Sequence, residues 1–321
     1  MKKEKKLVVM IPCYNEEKTL AQVVKKVPQK IPGVNQVEIL VIDDGSTDKT
    51  AQIAKKLKVN LVSHYKNEGL GIAFKTGVEK ALVLGADIIT NIDADMQFNP
   101  LDIPKIAKPI IKGEADMVTA TRFKDKKLMP KNMPKLKKIG NKGFTTLINL
   151  LTGESFTDTQ CGFRAYTRET ALRLTTFGKF TYTQEVFLDL ANKGMKIIEV
   201  PVKVKYFKGR KTKISGSLFK YGLKALAIIL QAFRDYRPLV FFGIPGVIIS
   251  SFGFILSAAS LVYWLILHRT QPVRMYLFTG IFLLTFGLLL LILALIADML
   301  KRLRRNQEEL LYRLRKNSPQ G

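Results

Sequence analysis

Up to Pro201 the chain repeats one pattern: a short run of apolar residues, a polar cluster closing it, then a stretch with helical spacing. Apolar runs at 7–11, 38–42, 59–63, 86–92 and 116–120 predict strands. Runs this short and this uniformly apolar suit strands buried on both faces. The clusters that close them are Pro12-Cys13-Tyr14-Asn15-Glu16, Asp43-Asp44-Gly45-Ser46, Asn67-Glu68-Gly69-Leu70-Gly71, Asp93-Ala94-Asp95-Met96-Gln97 and Thr121-Arg122-Phe123. Helical patterns follow at 135–151, 169–176 and 184–193, with a last strand at 195–200. This alternation predicts a doubly wound α/β fold with a mainly parallel sheet and right-handed crossovers. Ligands of such sheets bind outside the carboxyl ends of the strands, where every cluster falls.

Beyond Pro238 the pattern changes. Residues 239–267 carry no charge, 276–297 repeat the feature, and each exceeds the ~20 residues that span a bilayer. Two transmembrane helices joined by a short connection at 268–275 are expected, with Tyr263, Trp264 and Tyr276 as interfacial aromatics. Before them, Leu218, Phe219, Leu223, Leu226, Ala227, Leu230 and Phe233 alternate with Lys220, Lys224, Gln231 and Arg234. That reads as a basic amphipathic helix on a membrane surface, with a buried core helix as the rival. The expected organisation is a globular unit at 1–215, an interface helix at 216–237, two spans within 238–298, and a basic tail at 299–321 running along the membrane.

The formal net charge of +26 sharpens this picture. Its excess lies between Arg122 and Lys142, opposed only by Asp125, and between Lys203 and Lys224, opposed by no acid. The chain carries no recognised nucleic-acid motif and no aromatic-rich basic stripe, so RNA and DNA are set aside as partners. Beside membrane spans, such clusters suit anionic headgroups or a phosphorylated lipid. The hairpin's flanks are strongly basic, whereas its loop holds only Arg269 and Arg274. The positive-inside rule then predicts a multi-pass membrane protein with the globular unit and tail cytoplasmic. Cys13 and Cys161 form neither a disulfide framework nor a zinc spacing. His64 and His268 are too far apart in sequence to suggest a histidine triad. The apolar run after Lys6 is too short for a signal peptide.

Three of the clusters carry candidate chemistry. In an extended chain Asp93, Asp95 and Gln97 point the same way. They are hard oxygen donors suited to Mg²⁺ or Mn²⁺, whose remaining positions phosphate oxygens and water fill. A solvated surface turn is the plain alternative. Asp43 and Asp44 are equally suited to capping the next helix. Gly69-x-Gly71 is too short for a phosphate-loop fingerprint and reads as a tight turn. Asp158 and Arg164 stand close enough in sequence to pair with each other. Convergence of so many acids and glycines on one rim weighs against unrelated turns.

Taken together, Ile11-Pro12-Cys13-Tyr14-Asn15-Glu16, Asp43-Asp44-Gly45-Ser46, Asp93-Ala94-Asp95-Met96-Gln97, Thr121-Arg122-Phe123 and Asp158-Thr159-Gln160-Cys161-Gly162-Phe163-Arg164 resemble the inverting family 2 glycosyltransferases of GT-A fold. The likeness is closer to the dolichyl-phosphate and polyprenyl-phosphate sugar synthases and covers residues 6–221. It implies that Pro12, Tyr14, Glu16, Asp44 and Asp93 line a nucleotide pocket, and that Asp95 and Gln97 hold the metal. Arg122 would meet the acceptor phosphate, and Asp158 would stand near the reaction centre. Arg210 or Lys211 would close over the diphosphate, in a segment lacking the family's internal glycine. The basic stretches beside the membrane, through Arg122, Lys131, Lys135 and Arg164, would hold the phosphate. The expected activity is transfer of one sugar from a nucleotide sugar, UDP-glucose or GDP-mannose, to a polyprenyl phosphate. The alternatives are another lipid acceptor, or a non-catalytic scaffold binding a nucleotide sugar or anionic lipid.

Overall fold

The apolar runs become strands of a single sheet: β1 (Lys6–Cys13), β2 (Gln36–Asp43), β3 (Asn60–Ser63), β4 (Ile88–Asn91), β5 (Met117–Thr121), β6 (Arg164–Thr167) and β7 (Ile197–Pro201). Their order is β3-β2-β1-β4-β6-β5-β7. The structure is a computed structural model, and it describes residues 5–130, 132–175, 182–206, 223, 226–227, 230–231, 233–268, 271 and 273–317. Strand β1 sits between β2 and β4, and Leu7 through Ile11 are fully buried, as an all-apolar central strand requires. Helices α1 (Leu20–Lys26), α2 (Thr50–Lys56) and α4 (Ile103–Ile111) contribute Leu20, Ala54, Ile103 and Ile106 to the main core. Helix α3 (Leu70–Val83) lies close on the sheet because of Gly77, where a Cβ would stand 2.8 Å from Met10 Cγ and 2.9 Å from Ile42 Cδ1.

Two features depart from the sequence reading. Arg164-Ala165-Tyr166-Thr167 offers no apolar run, yet it forms β6, antiparallel to both β4 and β5. Its slot between two parallel strands, rather than its own propensity, makes it a strand. Because β6 runs against its neighbours, its beginning lies at the rim where β4 and β5 end. The second departure is β4, which stops at Asn91 and leaves Asp93 to Phe98 in a turn, with Met96 at φ 60°. The extended geometry expected for Asp93, Asp95 and Gln97 therefore does not hold, and a turn gathers them instead.

The chain divides into two units, Met1–Ile228 with Leu311–Gly321, and Ile229–Leu310. In the second, helices Ile244–Leu267 and Val273–Asn317 are both long and apolar enough to cross a membrane. Small residues let them approach: a Cβ on Gly253 would stand 2.7 Å from the Gly280 carbonyl oxygen, and one on Gly287 2.8 Å from that of Gly246. Ser250, Ser257 and Ser260 return their hydroxyls to carbonyls of their own helix, so these polar groups are not stranded at the seam. Gly253→Leu is expected to force this seam apart at a cost of about 1–3 kcal/mol. A lowered thermal midpoint in detergent, with Ile248→Leu as an unaffected control, checks it.

Residues 299–317 continue the second helix, whose last residues group with the globular unit. There Tyr312 is buried, donates to Glu169 at 3.0 Å and lies 3.9 Å beneath the Arg173 guanidinium. Arg315 donates to the carbonyls of Leu172 and Leu174, at the end of α6 (Arg168–Arg173). Most of the expected interface helix at 216–237 lies outside the described residues.

Candidate active site

The loops after β1 and β2 are laced together. Asn15, at φ 54°, donates its amide to Ser46 Oγ at 2.9 Å and accepts the Thr47 amide at 2.8 Å. The Glu16 amide donates to Thr50 Oγ1 at 2.8 Å. Pro12, Tyr14 and Glu16 are thereby brought to the same rim as Asp43 and Asp44. Asp44 itself is a scaffold. Its carboxylate accepts the Glu68 amide at 3.0 Å and the Gly69 amide at 2.9 Å, and His64 Nδ1 meets it at 2.8 Å. It therefore holds the 64–69 turn beside the rim, with little surface to offer a nucleotide directly. Gly45, at φ 68°, packs against the Lys66–Asn67 peptide, where no side chain fits.

β4 delivers Asp93 against the loop that precedes β6. A Cβ on Gly162 would lie 3.2 Å from Asp93 Oδ2, so the glycine permits this approach. Beneath, Asn91 Nδ2 donates to the Gly162 carbonyl and to Tyr182 OH, each at 2.8 Å, and Tyr182 stacks on Phe74. In the turn beyond, Asp95 Oδ1 accepts the Gln97 amide at 3.0 Å, and the Gln97 carbonyl accepts Lys205 N at 2.9 Å. Among the described residues no three His, Cys, Asp or Glu side chains form a preassembled metal cage. The Asp95 carboxylate and the Gln97 amide oxygen still fit Mg²⁺ or Mn²⁺, which commonly take one or two carboxylates and complete their shell with phosphate.

Arg122, at the end of β5, pairs with Asp158. Its Nε and Nη2 donate at 2.6 and 2.7 Å, its own amide donates at 3.1 Å, and Nη1 donates to Tyr206 OH at 2.8 Å. Asp158 is fully buried, so this fork is a fixed element of the site. The expected pairing of Asp158 with Arg164 is not formed. Arg164 is instead fully enclosed, donating to the carbonyls of Cys161 at 2.7 Å, Thr183 at 2.8 Å and Thr159 at 3.3 Å, with Phe187 against its guanidinium. A cation this deep cannot meet an acceptor phosphate, and it braces the 159–161 loop from below. Lys131, Arg210 and Lys211 lie outside the described residues, as does the side chain of Lys135.

Lys137, on α5 (Lys135–Thr152), was hidden among the lysines of its basic stretch. Its ammonium lies 5.9 Å from the Tyr206 ring. Burial and the repulsion of Arg122 lower its pKa, and attraction to Asp95 opposes the shift. One cation thus feels both the acidic turn and the arginine. Tyr206 was also missed, because a lone tyrosine in a basic run carries no sequence signal. Neither cysteine competes as a nucleophile: both are buried, and burial pushes the Cys161 thiol up to about 12.

Comparison with known proteins agrees with this geometry. The pattern of glycosyl transferase family 2 matches residues 8–174. UDP-N-acetylglucosamine–dolichyl-phosphate N-acetylglucosaminyltransferase of Methanococcus voltae is 35% identical over 224 residues, covering 63% of this chain and 87% of that protein. Glycosyltransferase AglJ of Haloferax volcanii is 28% identical over 304 residues, covering 93% of this chain and 95% of its own. Glucosyl-3-phosphoglycerate synthase from Mycobacterium tuberculosis, solved with Mn²⁺, UDP and glucosyl-3-phosphoglycerate, superposes with a TM-score of 0.55 at 21% identity, over 72% of this chain and 80% of that one. An acidic turn, a laced rim at the strand ends and a mostly parallel sheet thus meet a family match over half the chain: the protein belongs to glycosyl transferase family 2, and it is a glycosyltransferase of GT-A fold.

Proposed function

We propose that the protein transfers one sugar, with inversion, from a nucleoside diphosphate sugar to a polyprenyl phosphate at the cytoplasmic face of a membrane. The observation that carries this reading is the grouping of Lys137 and the Arg122–Asp158 fork around Tyr206, with Asp95 near enough to act on the Lys137 charge. The dolichyl-phosphate acceptor in the name of the Methanococcus relative supports it. So do the two apolar helices and their basic flanks.

Pro12, Tyr14, Glu16 and Asp93 line the nucleotide side, with Asp44 shaping the adjoining turn. Asp95 and Gln97 hold a divalent cation, Mg²⁺ or Mn²⁺, which when bound neutralises charge gathering on the leaving diphosphate. Arg122 and Lys137 orient the acceptor phosphate. In the transfer, a phosphate oxygen bonds the anomeric carbon as the bond from that carbon to the diphosphate breaks on the opposite face. A phosphate monoester has its second pKa near ~6 and is largely dianionic at neutral pH, so no proton has to be removed. Asp158, fully buried and gripping Arg122, orients the guanidinium and has no need to act as a base.

The test offers labelled UDP-glucose, GDP-mannose and UDP-N-acetylglucosamine in turn to purified protein with polyprenyl phosphate, with Mn²⁺ or Mg²⁺ and with chelator. One donor is expected to give organic-extractable label that chelation removes. Label that forms equally well on diacylglycerol or ceramide, or none with any donor, would overturn the reading.

A further inference from the structure

Glu199 lies on β7 opposite Thr119 of β5 and is almost fully buried. Its carboxylate accepts the Thr157 amide at 2.8 Å through Oε1 and 3.0 Å through Oε2, Thr157 Oγ1 at 2.9 Å and the Asp158 amide at 2.9 Å. Among the described residues no ion pair reaches it, since Lys124 Nζ meets its main-chain carbonyl, at 3.4 Å. Burial pushes the Glu199 carboxyl above the ordinary glutamate range, against the pull of the Thr157 and Asp158 hydrogen bonds. A buried carboxylate that no cation among the described residues offsets is an expensive way to satisfy two amides that water meets at little cost. What it provides is direction. Residues 157–158 belong to no strand or helix, and the orientation of the Asp158 side chain follows from theirs.

We infer that Glu199 is a positioning residue for the transfer, tying the 157–158 backbone to the rigid edge of β7 so that Asp158 presents both oxygens to Arg122. The order of contacts is continuous: Glu199 to the Asp158 amide, the Asp158 carboxylate to Nε and Nη2 of Arg122, and Nη1 to Tyr206. Thr121 Oγ1, 2.7 Å from Thr157 Oγ1, ties the same loop to the end of β5. Arg122 can then approach an acceptor phosphate with only a narrow range of angles. Productive geometry in a transfer reaction tolerates errors of this kind poorly. The inference rests on the proposed contact between Arg122 and that phosphate.

The experiment measures initial rates for the full-length protein in detergent, varying donor and polyprenyl phosphate separately. In Glu199→Gln the amide oxygen can keep Thr157 while its NH₂ faces the Asp158 N–H. Acceptor kcat/KM is expected to fall about tenfold, the effect of one displaced charge-assisted hydrogen bond, with donor KM nearly unchanged and the thermal midpoint lowered by only a few degrees. Thr157→Ala, which removes only the hydroxyl contacts, is expected to shift the acceptor value the same way by about twofold to threefold. In an Arg122→Lys background, where the fork no longer forms, Glu199→Gln is expected to add less than about twofold, the signature of coupled residues. Equal losses for donor and acceptor that track loss of folded protein, or full additivity with Arg122→Lys, would overturn the inference. An enzyme sensitive to Arg122→Lys but indifferent to Glu199→Gln defeats this inference alone. Acceptor kinetics untouched by Arg122→Lys defeat the reading of Arg122 and the inference together.

Discussion

Asp95→Ala is expected to lower turnover by about a thousandfold or more, because stabilising the leaving diphosphate is the largest electrostatic demand of the transfer. The side chain is half-buried in the turn after β4, and its hydrogen bond from the Gln97 amide is of a kind worth about 1 kcal/mol to stability. Folding should therefore survive the change while function does not. The measurement pairs steady-state rates under Mn²⁺ titration with calorimetric binding of UDP with and without Mn²⁺. Metal-dependent UDP binding is expected to disappear and the thermal midpoint to move by only a few degrees. Full turnover in this variant would overturn the assignment of Asp95 as the metal-holding carboxylate.

The second large effect is expected at Asp158, and it should fall on stability and activity together. The Arg122–Asp158 pair is enclosed: the Asp158 side chain is 0% exposed and that of Arg122 only 11%. Removing one partner of a buried pair leaves a charge without compensation, which typically costs about 3–5 kcal/mol. Asp158→Ala should thus lower the thermal midpoint sharply and raise the acceptor KM as Arg122 loses its brace. Asp158→Asn is the informative companion. Its amide oxygen can still accept from Arg122, so it should stay better folded than the alanine variant and keep measurable turnover, with the loss concentrated in acceptor KM. A general base would behave otherwise, losing kcat in the asparagine variant without loss of acceptor affinity. That result would reassign Asp158 from orienting Arg122 to taking a proton.

Much of the site was legible before any coordinates. The apolar runs marked β1, β2, β4 and β5, and the polar clusters closing them are the rim. Arg164 shows where such reading fails. An arginine in a polar loop looks available to a phosphate, but burial and three carbonyls settle its role, and neither is local in sequence. Lys137 shows the reverse. The sequence presents many equivalent lysines, and only the rotational phase of α5 turns this one toward Arg122 and Asp95.

The order of apolar runs by itself determined a mostly parallel α/β sheet, an acidic cluster closing one of its strands and two spans of membrane length, because burial of a strand or a bilayer helix demands apolar residues in long local register. What only the tertiary structure decided was the company each polar side chain keeps. A strand without an apolar signature, β6, inserts antiparallel between β4 and β5 and brings Asp158 to Arg122 and Gly162 to Asp93. β7 sets Glu199 beneath the same loop. The physical reason is that strand pairing and charge pairing join residues far apart in the chain, and neither leaves a periodicity in the sequence to read.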